Sequence, residues 1–212
     1  MTQRRRQEDR TRATRAALVT TARRLFAQRG YHGVPAEAIV AAAGLTRGAL
    51  QHHFGDKQAL FRVVFEQLET DISAQLAAAV ARAPDGWTAA TAALSAFLDA
   101  CEKPEVIQIA LTDAPAVLGW ATWRAVEAEH GLGLITTGLR QGMADGVFVE
   151  QPVDVLAHLI LSAVIEAALL IAHARNHRVA RKDAEQTLLA LLAGLRTPAT
   201  PWRAKAQGMA RS

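Results

Sequence analysis

The chain has 212 residues, 50% of them hydrophobic, with 24 lysines and arginines against 20 acidic residues and a single cysteine. At this length roughly 70% of the unfolded surface can be buried, so no disulfide or metal staple is required. Cys101 alone excludes an intramolecular disulfide framework and the opening MTQRRRQEDR has no apolar stretch behind it, so neither secretion nor a transit segment is read and a cytoplasmic location is expected.

The net charge of +4 is unevenly placed. Through Arg62 there are eleven arginines and Lys57 against Glu8, Asp9, Glu37 and Asp56, a net +8, whereas residues 63–212 carry a net −4. A compact basic first quarter is the footprint of a polyanion binder, and a solvated arginine-rich tail is the plainer reading of the same charge.

Helical periodicity runs along almost the whole chain, and sustained period-two patterns are lacking. Leu18, Ala22, Leu25 and Phe26 define a first helix of about residues 10–29, stopped by Gly30. Pro35 suits a first helical position, and AEAIVAAAG gives a short second helix ended by Gly44. Thr46 caps RGALQHHF, and Asp56 caps a long segment with Phe61, Phe65, Leu68, Ile72 and Leu76 on one face. Pro84-Asp85-Gly86, Lys103-Pro104, Ala114-Pro115, Asp145-Gly146 and Gln151-Pro152 then divide the remainder into helices of about 87–101, 104–112, 116–143, 153–176 and 182–196. The apolar stretch 155–172 is interrupted by His158, Ser162 and Glu166 and falls short of a bilayer span, so it reads as a buried helix and no membrane partner is expected.

Two short helices joined at Ala43-Gly44-Leu45 form a helix-turn-helix pattern over about residues 34–53. Such a motif docks its second helix in the DNA major groove, and Gly48 and Ala49 leave room for the backbone to approach. Thr46, Arg47, Gln51 and His52 project together there. Arg47 suits guanine N7/O6 and Gln51 suits adenine N6/N7, the favoured major-groove pairings; which of them reads bases stays open.

The run ARRLFAQRGYHGVPAEAIVAAAGLTRGALQHHFGDKQALF resembles the DNA-binding domain of the TetR/AcrR-like family of bacterial transcriptional regulators, over about residues 11–65. Leu25-Phe26, Gly30-Tyr31, Ile39, Ala43-Gly44, Thr46, Gly48-Ala49-Leu50, His53-Phe54, Lys57 and Leu60 carry the likeness by their joint register. The resemblance implies an all-α chain of about nine helices: an N-terminal three-helix DNA-reading domain, then a helical ligand-binding and dimerising body over 66–197. Residues 1–10 are expected as a disordered basic arm and 198–212 as a flexible tail. The resemblance further implies a homodimeric, ligand-responsive regulator, most often a repressor, that binds a palindromic double-stranded operator and is released by a small-molecule effector.

Carried over by position, the recognition helix is about residues 45–52, and the DNA-contacting residues are Thr46, Arg47, Gly48, Gln51, His52, His53 and Lys57, with Lys57 approaching a phosphate. Phe54 is expected in the small domain's core. Val34 stands where the family usually has a capping threonine, and Gln51 where it usually has a tyrosine, so operator preference is not carried over. Arg4, Arg5, Arg6, Arg10 and Arg12 either follow the DNA backbone or minor groove or have no role.

In the body, Trp87, Phe97, Trp120 and Trp123 are effector-pocket candidates, with core packing as their commoner use. Leu156, Ile160, Ala163, Ala167, Leu170, Leu188, Leu191 and Leu195 are dimer-interface candidates, or else intrachain core. The acidic excess between residues 63 and 176 tilts the ligand toward neutral or cationic chemistry. His173 and His177 have i, i+4 spacing but no third ligand beyond a remote Glu166, so no metal is expected. GLGLITTG from Gly131 departs from the dinucleotide spacing and follows no strand, and no catalytic motif is found, so neither a cofactor nor an enzymatic activity is expected.

Overall fold

A computed structural model describes residues 2–198, and within them the chain is nine α-helices and one π-helical segment with no β-strand. Helix α1 runs Thr2–Arg29 and buries Leu18, Val19, Ala22, Leu25 and Phe26 before Gly30, at φ 67°, turns the chain. The basic segment expected as a disordered arm is thus the first turns of α1, whereas residues 199–212 lie outside the described residues. Helix α2, Ala36–Ala42, follows Pro35, which occupies the capping position one residue before the expected place and sets the extended entry with φ −68° and ψ 152°. Gly44, at φ 65°, then makes the sharp turn to α3, Arg47–Phe54. Leu45 and Thr46 precede that helix because the Thr46 side chain serves as its cap, accepting from the Ala49 N–H at 3.2 Å.

Helix α4, Lys57–Val80, is capped by Asp56, whose Oδ1 accepts from the Ala59 N–H at 2.7 Å. It passes from head to body, burying Leu60, Phe61, Val64, Phe65, Leu68 and Ile72 along the way. One continuous apolar cluster therefore extends from Leu18 through Phe61 to Trp123 and Ile165. Helix α5 is Gly86–Cys101, and the π segment is Val106–Asp113. The helix expected over 116–143 is broken at Gly119, whose φ of 81° separates α6, Ala114–Leu118, from α7, Trp120–Ala144.

Helix α8, Val153–His173, is 21 residues long and apolar enough to cross a membrane by length and composition. Its length does not fall short of a span, contrary to expectation; what it does instead is pack, burying Ala157, Leu161, Ile165, Ala168 and Ile171 against the rest of the body. Helix α9 is His177–Ala193. His173 ends α8 and His177 begins α9, so the two imidazoles do not share one helical face. Past α9, Phe148 and Arg196 form an isolated antiparallel bridge that ties the α7–α8 loop to the chain's last described turn.

Candidate DNA-reading head and body cavity

On α3 the outward face presents Thr46, Arg47, Gly48, Gln51 and His52, all exposed, while Leu50 anchors the opposite face in the core. Arg47 pairs with Glu37 of α2 at the surface. An exposed pair of this kind is worth at most about 1 kcal/mol, so it orients the guanidinium without holding it from another partner. A Cβ built on Gly48 would meet only the Thr46 Oγ1, at 3.7 Å. Nothing inside the chain requires glycine there. His53 is half-buried between the rings of His52 and Phe54, and Phe54 packs on the main core with the Arg15 guanidinium 5.1 Å from its centroid.

Lys57, expected at a phosphate, is half-buried and engaged within the chain. Its Nζ donates to the carbonyls of Tyr31 and Val34 at 3.0 and 3.1 Å and lies 3.8 Å from the Tyr31 ring centroid. The ammonium braces the α1–α2 turn, and partial burial there lowers its pKa against an opposing pull from Asp113. Val34 is fully buried, so the position that would hold a capping hydroxyl serves the core instead.

The head meets the body along a polar seam. Arg23 of α1 donates to both Glu105 carboxylate oxygens at 3.1 and 3.0 Å and pairs with Asp71 of α4. Asp113, at the end of the π segment, accepts from the Tyr31 backbone N–H at 2.7 Å, and Gln58 donates to the Val117 carbonyl at 2.7 Å. Gly30 sits so close to the π segment that a Cβ would come within 3.0 Å of the Gln108 amide nitrogen.

Behind the seam lies a cavity of about 370 Å³ between α4, α5, α7 and α8. Its wall is apolar over most of its extent, with Ile72 and Leu76 from α4, Phe97 from α5 and Val164 from α8. The space exists where side chains are small: Ala89, Ala90 and Ala93 on α5 and Gly138 on α7, whereas Gly131 on the same wall makes room for Leu161, whose Cδ1 a Cβ there would meet at 2.8 Å. Of the four expected aromatic residues only Phe97 lines it. Trp87 packs with Phe148 under the Arg196 guanidinium, 4.8 Å away. Trp123 is fully buried in the main core, and Trp120, first residue of α7 after the Gly119 break, is 61% exposed.

Sequence reading missed the two acidic residues of the wall, Glu69 from α4 and Glu127 from α7, each 7% exposed. Burial pushes the Glu127 carboxyl up to about 7 against the pull of Arg124, and burial together with Glu127 raises Glu69 well above the usual carboxylate range. The Trp123 indole N–H beside Glu127 pulls its pKa down, although the indole nitrogen is buried without a well-formed hydrogen bond. Cys101, behind the pair, is buried and its thiol is raised as well, first by desolvation and then by the two carboxyls. The signal for this pair in the sequence is Glu69 breaking the run of apolar positions along one face of α4.

The interface candidates divide. Ala167 and Leu188 are buried within the chain, and Leu156, Ile160, Ala163 and Leu195 are half-buried against intrachain clusters. All six pack on intrachain clusters, and four of them, Leu156, Ile160, Ala163 and Ala167, lie on α8, which is apolar on more than one face. Leu170 and Leu191 remain exposed, joined by Val155 and Leu159, which the sequence reading did not select.

Residues 87–195 match the family model described as tetracyclin repressor-like, C-terminal domain, and residues 18–64 match that of bacterial regulatory proteins, tetR family. The chain belongs to the TetR family. A solved TetR-family transcriptional regulator from Pectobacterium atrosepticum is 34% identical, with a TM-score of 0.83 over 90% of this chain and 97% of that one. The transposon Tn10 TetC protein of Escherichia coli is 25% identical over 170 residues, covering 80% of this chain and 84% of its own. The transcriptional repressor AcnR of Corynebacterium efficiens is 46% identical over 48 residues, 23% of this chain and 26% of that protein. This TetR-family chain is accordingly a DNA-binding, ligand-responsive transcriptional regulator.

Proposed function

We propose that this TetR-family protein is a cytoplasmic repressor that binds a palindromic operator as a homodimer and is released when a small molecule fills the cavity between α4, α5, α7 and α8, without catalysing a reaction. The observation that carries the reading is that one helix, α4, bears both Lys57, which braces the head, and Glu69, Ile72, Ser73 and Leu76, which line the cavity. Filling the cavity moves α4 against α5 and α7, and the Gln58–Val117 and Tyr31–Asp113 bonds pass that displacement to the head. A π segment at such a joint suits the role, since π turns inside helices occur frequently at functional sites. A ligand coupling of about 1–3 kcal/mol changes DNA affinity roughly 5- to 150-fold.

In this reading Thr46, Arg47, Gly48, Gln51 and His52 face the major groove, with His53 at their edge, and the exposed stripe of Val155, Leu159 and Leu170 on α8 with Leu191 on α9 meets the same stripe of a second copy. Two copies place their α3 helices in successive major grooves about 34–36 Å apart. Selection of bound duplexes from a random pool tests this: a palindrome with half-sites one helical turn apart, or a small multiple of it, is expected, and enrichment of no sequence removes the regulator reading.

A further inference from the structure

We propose that the cavity selects a lipophilic cation, a substituted ammonium or amidinium whose positive centre sits between the Glu69 and Glu127 carboxyls with its apolar part against Ile72, Leu76 and Phe97. The inference rests on the cavity being the effector site and adds the chemistry of the effector. Both carboxyls reach the wall from different helices, and each is more than nine-tenths buried. Among the described residues Glu69 makes no hydrogen bond or ion pair. Burying a carboxyl in an apolar wall is costly unless something answers it. A neutral apolar ligand would leave that cost in place, and an anion would raise it.

Charged groups around the pair are few. Arg124, from α7, pulls on Glu127 without pairing with it: its Nη2 donates to Ser162 at 3.3 Å, its buried Nη1 has no partner among the described residues, and the residue is not on the cavity wall. His130, also from α7, is the one basic side chain of the wall, Cys101 lies behind the pair on α5, and α8 presents only apolar groups there. With no cation beside it the pair meets its desolvation cost by holding protons, since Glu69 titrates well above its ordinary range and Glu127 near 7. A bound cation replaces a proton, which leaves to solvent. The same two carboxyls also border the small void next to Val106, Ala110 and Leu111 of the π segment, so the cation's charge lands where the body joins the head.

Calorimetric titration of the full chain with octyltrimethylammonium, 1-octanol and octanoate compares one tail under positive, neutral and negative heads. The quaternary cation is expected to bind about tenfold or more tightly than the alcohol, with octanoate weakest. Its affinity should rise about tenfold from about pH 6 to about pH 8 as Glu127 ionises, with no contribution from the ligand, whose charge does not titrate. The double variant Glu69→Gln, Glu127→Gln should lose both the preference and the pH slope, while His130→Gln retains the slope whatever it does to affinity. Equal binding of the three ligands overturns the proposal, as does a preference that survives in the double variant or a slope abolished by His130→Gln. Should the double variant not fold, the head-group comparison and pH slope of the unmodified chain decide alone. A chain that prefers the cation but enriches no duplex removes the regulator reading and leaves this inference; a chain that enriches an operator but shows no preference for the cation removes only this inference.

Discussion

Gly48 costs the free protein helix stability, because a glycine in place of alanine within a helix loses about 0.5–1 kcal/mol through backbone entropy. The chain itself would accept a Cβ there, with only Thr46 Oγ1 at 3.7 Å. Gly48→Ala should therefore raise stability in urea by about that 0.5–1 kcal/mol while weakening operator binding, since the methyl group comes between α3 and the DNA. Operator affinity unchanged by the substitution would assign Gly48 to something other than docking. Glu127 gives a second residue-scale test. Its pKa is raised from 4.5 to about 7, so the folded chain holds this proton more tightly than the unfolded chain. The resulting stability is complete below about 4.5 and is lost as the pH rises through about 7. Glu127→Gln, which cannot ionise, should raise the melting temperature more at about pH 8 than at about pH 5. Equal shifts at the two pH values would place the raised pKa in doubt.

At the scale of helices, the head was legible because its signals are local. Gly30 and Gly44 stop helices, Thr46 and Asp56 cap them, and each leaves its mark within three or four residues. The bracing contacts of Lys57 were illegible because its partners, the Tyr31 and Val34 carbonyls, are 26 and 23 residues away and belong to the backbone, which no side-chain pattern reveals. The face of α8 was equally illegible: a helix apolar nearly all round offers several stripes, and periodicity cannot choose between Leu156-Ile160-Ala163-Ala167 and Val155-Leu159. Tryptophans led away from the cavity for a physical reason. Large rings fill space, whereas this cavity is the space left by Ala89, Ala90, Ala93 and Gly138. Gly138, the last residue of GLGLITTG, was the available signal, because a glycine inside a helix is unfavourable unless its missing side chain serves a purpose. A Cβ on Gly138 meets nothing within 4 Å. Gly138→Leu should fold with unchanged or higher stability and weaken octyltrimethylammonium binding about tenfold or more by occupying its place. Full binding in that variant would move the ligand to another site.

The whole molecule is a basic reading head fused to an acidic body by one continuous core, so head and body share α4 and the packing around it. The head's charge includes α1's first turns, where Arg5, Arg10 and Arg12 are exposed and Arg12 makes only a loose 3.8 Å pair with Asp9. Removing residues 1–10 should weaken binding to operator and random duplex alike and reduce the slope of log affinity against log salt by about 0.9 for each phosphate that is no longer neutralised. An unaltered slope would leave those arginines without a part in DNA binding. Everything proposed for the head depends on the exposed face of α3 reading bases. Binding of Gln51→Ala and of the unmodified chain, each measured on the enriched duplex and on a scrambled duplex of the same composition, isolates that role. A loss of about 1–3 kcal/mol is expected on the enriched duplex and none on the scrambled one. Equal losses on both, or no loss on either, would mean that Gln51 does not read sequence from α3.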